Sequence, residues 1–127
     1  MADIITLANA VTITGTGGSS TKQAITEAID VSGYDSIDFQ FGCLAVNGAN
    51  GIKVSILASM QNRSDDASWY SIGQSSTMAT GPSWSALTVP SSSATPMFRY
   101  IRYQIDFGGG VTTATVSING MARRRSA

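Results

Sequence analysis

The feature that most constrains this chain is a strict alternation of apolar and polar residues at spacing two. It recurs in runs of about 6 to 11 residues, each closed by Gly, Ser, Asn, Asp or Pro, which is the pattern of half-buried strands. In "SIDFQFGCLAV", Ile37, Phe39, Phe41, Cys43 and Ala45 fall on one side, and Asp38 and Gln40 on the other. In "GIKVSILASM" the apolar set is Ile52, Val54, Ile56, Ala58 and Met60, opposed by Lys53, Ser55 and Ser59. The turn "NGANG" at 47–51 joins these two runs, and its Gly and Asn residues tolerate positive φ.

The stretch "MFRYIRYQIDFGGG" at 97–110 continues the pattern, with Ile101, Tyr103, Ile105 and Phe107 toward a core and Tyr100, Arg102, Gln104 and Asp106 away from it. Three glycines then open a connection to "VTTATVSING", whose Ala114, Val116 and Ile118 face the same way, so the two runs are expected to form a hairpin. Arg102 and Asp106 mix charge on one face, the wrong pattern for tracking phosphates. "DFGGG" lacks the accompanying kinase elements and is read as turn. Near the N-terminus Val11 and Ile13 alternate with threonines, "GTGGSST" interrupts, and "QAITEAIDV" resumes as a strand in preference to a short helix.

Counted together, the runs give about eight strands with turn signals at sandwich spacing, and no segment sustains a helical period. The expected fold is an all-β antiparallel sandwich of the jelly-roll or galactose-binding-like kind; a meander or barrel fits the same alternation. A chain of 127 residues supports one such core. The expected organisation is an N-terminal arm or first strand over 1–18, the sandwich over 19–120 and a basic tail over 121–127.

Composition narrows function mainly by exclusion. There is no histidine and a single cysteine, Cys43, which removes His-based triads, a disulfide framework and multi-cysteine zinc sites. Cys43 sits on the apolar side of its strand and reads as a small core residue. Eight basic residues balance eight acidic ones and only 13% of residues are charged, so no global field draws nucleic acid or an anionic membrane. A nearly neutral surface made polar by Ser, Thr, Asn and Gln is weakly protected against association and suits a subunit of an assembly. No stretch approaches the roughly 18 apolar residues of a membrane span, and "MADIITLANAVTITG" has no basic n-region, so synthesis in a bacterial host cytoplasm without an export signal is expected.

Few side chains are candidates for a site. Asp65 and Asp66 are adjacent carboxylates in a polar loop and supply oxygen ligands of the type Ca²⁺ takes, but two are too few and the spacing is not that of an EF-hand. The reading is therefore a turn, with no metal or cofactor. Asn62-Arg63-Ser64 matches a glycosylation sequon only formally. Trp69, Tyr70 and Trp84 are of a type that stacks on a sugar ring, but the favoured reading is packing, with Trp69 closing one end of the sandwich core and the others at loops or interfaces. Arg123, Arg124 and Arg125 concentrate charge at the C-terminus and read first as a solvated tail, next as a subunit contact and last as a nucleic-acid contact. No catalytic constellation is visible.

Two separated stretches, "IKVSILASMQNRSDDASWYSIG" and "FRYIRYQIDF", resemble the galactose-binding-like, discoidin-type sandwich pattern. Asp66, Trp69, Ile72 and Gly73 stand for its first part, with Ala67 where that pattern has glycine. Arg99, Tyr100, Ile101 and Arg102 stand for the second. Compact Ser/Thr-rich versions resemble small virion proteins of tailed bacteriophages that decorate heads or build fibre and tail tips. The resemblance implies a non-enzymatic structural protein of the virion, a capsid decoration subunit whose partners are itself and a major capsid or other virion protein. A carbohydrate-binding module or fibre adhesin is the alternative.

Overall fold

A computed structural model describes residues 2–61, 68–90 and 99–124. Its strands are β1 (Ala2–Thr14), β2 (Ser20–Lys22), β3 (Ile29–Asp30), β4 (Tyr34–Val46), β5 (Ile52–Ser59), β6 (Tyr70–Gln74), β7 (Ser83–Val89), β8 (Tyr100–Phe107) and β9 (Thr113–Arg124). They form two antiparallel sheets in the orders β1-β9-β4-β7 and β2-β8-β5-β6, with β3 also on β8. The expected all-β antiparallel sandwich is what the chain adopts. Since β2 and β3 lie one after the other along the same edge of β8, they fill one strand position, and the sandwich has the eight positions of a jelly roll.

In that topology most connections carry the chain from one sheet to the other. The "GGG" segment does this, with Gly110 at φ +80: β8 pairs with β5, β9 pairs with β1 and β4, and the two never pair with each other. The expected hairpin is therefore an arch over the core. Its two apolar sets do face one another, but across the sandwich and not along a sheet. "NGANG" is the same kind of crossing, from β4 to β5, with Gly51 at φ +67. In "QAITEAIDV" the chain makes a 3₁₀ turn at Ile25–Glu27 before β3, where a continuous strand was expected; this breaks the edge beside β8 in two.

The core lies between the sheets. From β4 come Ile37, Phe39, Phe41 and Cys43, from β9 Ala114, Val116 and Ile118, and from the facing sheet Ile52, Val54, Ile56, Ile101, Ile105 and Phe107, all buried. Phe39 and Phe41 stack at 5.7 Å between centroids. Burying side chains of this size is worth roughly 1.5 to 3 kcal/mol each before entropy is counted, so this set is the principal stabilising element. The alternation fails at Ala45 and Met60, and again at Val11. A register shift between Cys43 and Ala45 turns Ala45 outward, because a bulge inserts one residue and resets the period. Met60 lies just past the end of β5 and is 60% exposed.

Residues 2–14 form the first strand of the sandwich. β1 pairs along β9 and contributes Ile5, Leu7 and Ile13 to the core. Val11, expected on the same side as Ile13, is 41% exposed beside the irregular part of the strand. Buried Gln23 ties the sheets together at this edge: its Nε2 donates to the Leu7 carbonyl (3.2 Å) and its Oε1 accepts from the Tyr103 N–H (3.2 Å). At the other terminus β9 runs to Arg124, so 121–124 are also strand.

Candidate functional site

The two sheets present very different outer faces. On the five-stranded sheet, Arg102 points away from the core as its place in the alternation requires, yet it is 4% exposed. The Trp69 ring lies over its guanidinium at 4.4 Å, and one of its N–H groups donates to the Gln23 carbonyl at 3.1 Å. Stacking on an indole and bonding to a carbonyl together offset the loss of hydration of a weakly hydrated planar cation. Leu57, Ser55 and Ser59 on the same face are buried too. Around Arg102 the outward side of the alternation is thus covered in turn, while Lys53 on the same face stays exposed. Farther along, Asp106 accepts from Ser20 Oγ (2.6 Å), Gln104 Nε2 (2.7 Å) and Gln74 Nε2 (3.0 Å), which fixes β2, β8 and β6 relative to one another.

On the four-stranded sheet the outer face is open. Pairing aligns Ile4, Met121, Asp38 and Thr88 in one row, and Thr6, Asn119, Gln40 and Ala86 in the next. Ile4 is 78% exposed and Met121 50%, side by side around a shallow depression whose other walls are Asp38, Gln40 and Asn119. Two rows farther on, Trp84 is 54% exposed and opposes Gly42. A Cβ at Gly42 would stand 2.3 Å from Trp84 Cζ3, so the indole can pack onto the sheet there because that residue has no side chain. Thr6 bonds to Asn119 (3.0 Å) and Thr12 to Thr115 (2.9 Å).

The ion pair on this face is Asp38 with Arg123. Arg123 donates through Nη2 (2.6 Å) and Nε (3.1 Å) to one carboxylate oxygen, and Thr88 Oγ1 donates to the other at 2.7 Å. These bonds, Arg123 first and Thr88 second, hold the Asp38 carboxyl below its usual value. Among the described residues the face therefore presents small polar groups, apolar points and the Asp38–Arg123 pair.

The sequence candidates separate accordingly. Trp69 is 6% exposed and packs over Arg102, Tyr70 opens β6 at 38% exposure, and Trp84 stands on the opposite sheet, so the three do not form one aromatic platform. Burial raises the Tyr70 hydroxyl pKa. Asp65 and Asp66, the sequon, Arg125 and the side chain of Arg124 lie outside the described residues. Among the described residues no group of three metal-ligating side chains occurs, and Cys43 is buried, its thiol pKa raised by desolvation. Ile4 and Met121 were missed by the sequence reading. The signal for the first was present, since Ile4 and Ile5 are consecutive and a strand can bury only one of them.

No protein-family model matches the chain, and no curated protein matches it in sequence. Solved structures do match in fold. VP2 in the subviral particle of infectious bursal disease virus superposes with a TM-score of 0.58 at 10% identity, over 98% of this chain and 33% of that one. T=1 particles derived from infectious bursal virus give a TM-score of 0.56 at 10% identity, over 98% and 32%. The chain spans about a third of the length of the chains it matches. At this identity the likeness is one of fold, shared with proteins of viral capsid particles; the discoidin-type part of the sequence resemblance finds no counterpart in these matches. Among the described residues no helix is long and apolar enough to cross a membrane.

Proposed function

We infer that this chain is a non-enzymatic structural subunit of a virus particle. Within that class the reading is an accessory subunit that decorates a bacteriophage capsid in many copies, with itself and a major capsid or other virion protein as partners. The observation that carries it is the open outer face of the four-stranded sheet, on a jelly roll similar over almost its whole length to proteins of capsid particles. Ile4, Met121 and Trp84 offer apolar burial there, amide and hydroxyl groups offer hydrogen bonds, and Asp38 neutralises Arg123, so a partner surface meets little uncompensated charge. Weak contacts of this type gain strength from repetition on a lattice. With Arg123 engaged in that pair, the arginine cluster is better suited to a subunit contact than to nucleic acid.

The test is to image particles carrying the protein and count its copies, for wild type and for the double variant Ile4→Glu, Met121→Glu. Both side chains point to solvent in the isolated chain, so the fold should survive while occupancy falls at least tenfold. Unchanged occupancy would remove the four-stranded face as the contact, and absence of the protein from purified particles would remove the reading itself.

A glycan-binding reading keeps one supporting observation, the exposed flat ring of Trp84. Glycan-array binding by the wild type that vanishes in Trp84→Ala would favour it, and a blank array would end it.

A further inference from the structure

We propose that β7 is the seam of a symmetric dimer, pairing antiparallel with β7 of a second copy so that two four-stranded sheets become one continuous surface. The inference rests on the assembly reading above and deepens it by naming the first partner.

An edge strand exposes unpaired N–H and C=O groups, and proteins that must stay monomeric blunt it with charge, proline, bulges or interruption. Three edges here are blunted. β1 carries two register shifts and holds Ala10 at φ +53. β2 and β3 are only three and two residues long and are split by the 3₁₀ turn. β6 has five residues and a register shift against β5.

The fourth edge is different. β7, "SWSALTV", has seven residues, no charge and no internal proline, and pairs with β4 from Ser83 to Val89 without a register shift. Pro82 and Pro90 stand immediately outside it, where they end the strand without removing a donor from within it. Its outer edge has no strand partner among the described residues. Its inward-facing Leu87 packs on the core but is only half-buried, so the sandwich is incompletely closed on this side.

These facts select a second copy of this chain. Since β7 is the one open edge among the described residues, sheet extension by self-association joins that edge to itself, which is an isologous two-fold contact that closes at two copies. Using the whole strand centres the axis on Ala86, the middle residue of β7. Ala86 then faces Ala86 of the second copy, and Trp84 faces Thr88, an aromatic and β-branched pair of the kind that stabilises neighbouring strands. No charged side chain from either strand enters the seam. The two-fold is perpendicular to the sheet, so the outer faces of both copies point the same way and form one surface for the lattice beneath.

The test uses the complete chain and sedimentation or light-scattering mass. Wild type is expected at twice 13.2 kDa. Ala86 is exposed, so Ala86→Lys and Ala86→Glu should each fold with an unchanged circular dichroism spectrum and run at the single-chain mass, because two like charges would sit opposite each other at the axis. Mixing the two variants should restore the double mass. A monomeric wild type, variants that remain dimeric, or a mixture that stays monomeric would overturn the seam. Copy number on particles is measured separately: a monomer that still occupies particles sinks the seam and leaves the assembly reading standing.

Discussion

The outer faces of the two sheets use the same residue type to opposite ends. On the five-stranded sheet Trp69 is folded over Arg102 and is 6% exposed; on the four-stranded sheet Trp84 lies on Gly42 and is 54% exposed. The first tryptophan extends the core outward through a sheet and fastens the segment entering β6 to β8. The second covers backbone and leaves a ring face in water. A two-layer fold has one interior and two exteriors, and here the chain covers part of one exterior itself, around Arg102 and Leu57, and leaves the other open. The covered face is accordingly where substitution should cost stability, and the open face where it should cost association.

The largest effect that can break this contrast is the pair of tryptophan truncations. Trp69→Ala is expected to lower unfolding free energy by about 3 to 5 kcal/mol, the range for deleting a large buried aromatic side chain. Trp84→Ala should cost under about 1 kcal/mol, since half its surface is already solvated. Urea denaturation of both variants is the measurement, and equal losses would mean that Trp84 is as structural as Trp69.

Two glycines of the four-stranded sheet sharpen the contrast at the next level. A Cβ at Gly120 would stand 2.6 Å from Ile37 Cγ2 and 2.9 Å from Phe39, both in the core, and neither can withdraw without strain. Gly120→Ala is expected to destabilise by about 1 to 3 kcal/mol through overpacking. The three atoms nearest a Cβ at Gly42 all belong to the Trp84 ring on the open side, which can lift into solvent. Gly42→Ala should therefore change stability by less than about 0.5 kcal/mol, the scale of ordinary surface substitutions, and shift the tryptophan emission to longer wavelength. An unshifted spectrum would show that the ring is held by something other than the glycine.

What the sequence disclosed follows from what alternation can report. Spacing two states which side of a strand a residue faces, and for Ile37, Phe39, Phe41, Ile101, Ile105 and Ile118 that was enough to identify the core. It does not state which strand lies alongside. Phe107 and Val116 show the same phase whether their strands are hairpin partners or sit in opposite sheets, so the arch at Gly108–Gly110 was legible as a turn and illegible as a crossing. Nor does phase imply exposure. Arg102 was placed outward correctly, and its burial depends on Trp69, contributed by a segment more than thirty positions earlier. The open face was the least visible part, because Ile4 and Met121 matter through the row that register builds from four strands.

The smallest expected effect concerns Asp38, and it separates the free chain from the assembled one. Its carboxyl is held below the ordinary value of 3.8 by the hydrogen bonds from Arg123 and then Thr88, partly opposed by desolvation. A carboxyl whose pKa is lower folded than unfolded stabilises the fold above the unfolded value, and loses that contribution as pH falls through the folded one. The stability difference between wild type and Asp38→Asn should therefore be level above pH 3.8 and shrink below it. In the isolated chain it should be small, since the Asp38 side chain is 36% exposed and its Arg123 partner 66%, and water screens the pair. Covering the four-stranded face with a partner removes that screening and leaves the same pair in a lower dielectric. Release of the protein from particles should then depend on pH in this acid range more steeply than unfolding of the free chain does, and Asp38→Asn should flatten the release curve. Equal steepness in the two states would mean that Asp38 stays in water on the particle, and that the contact lies elsewhere on the sandwich.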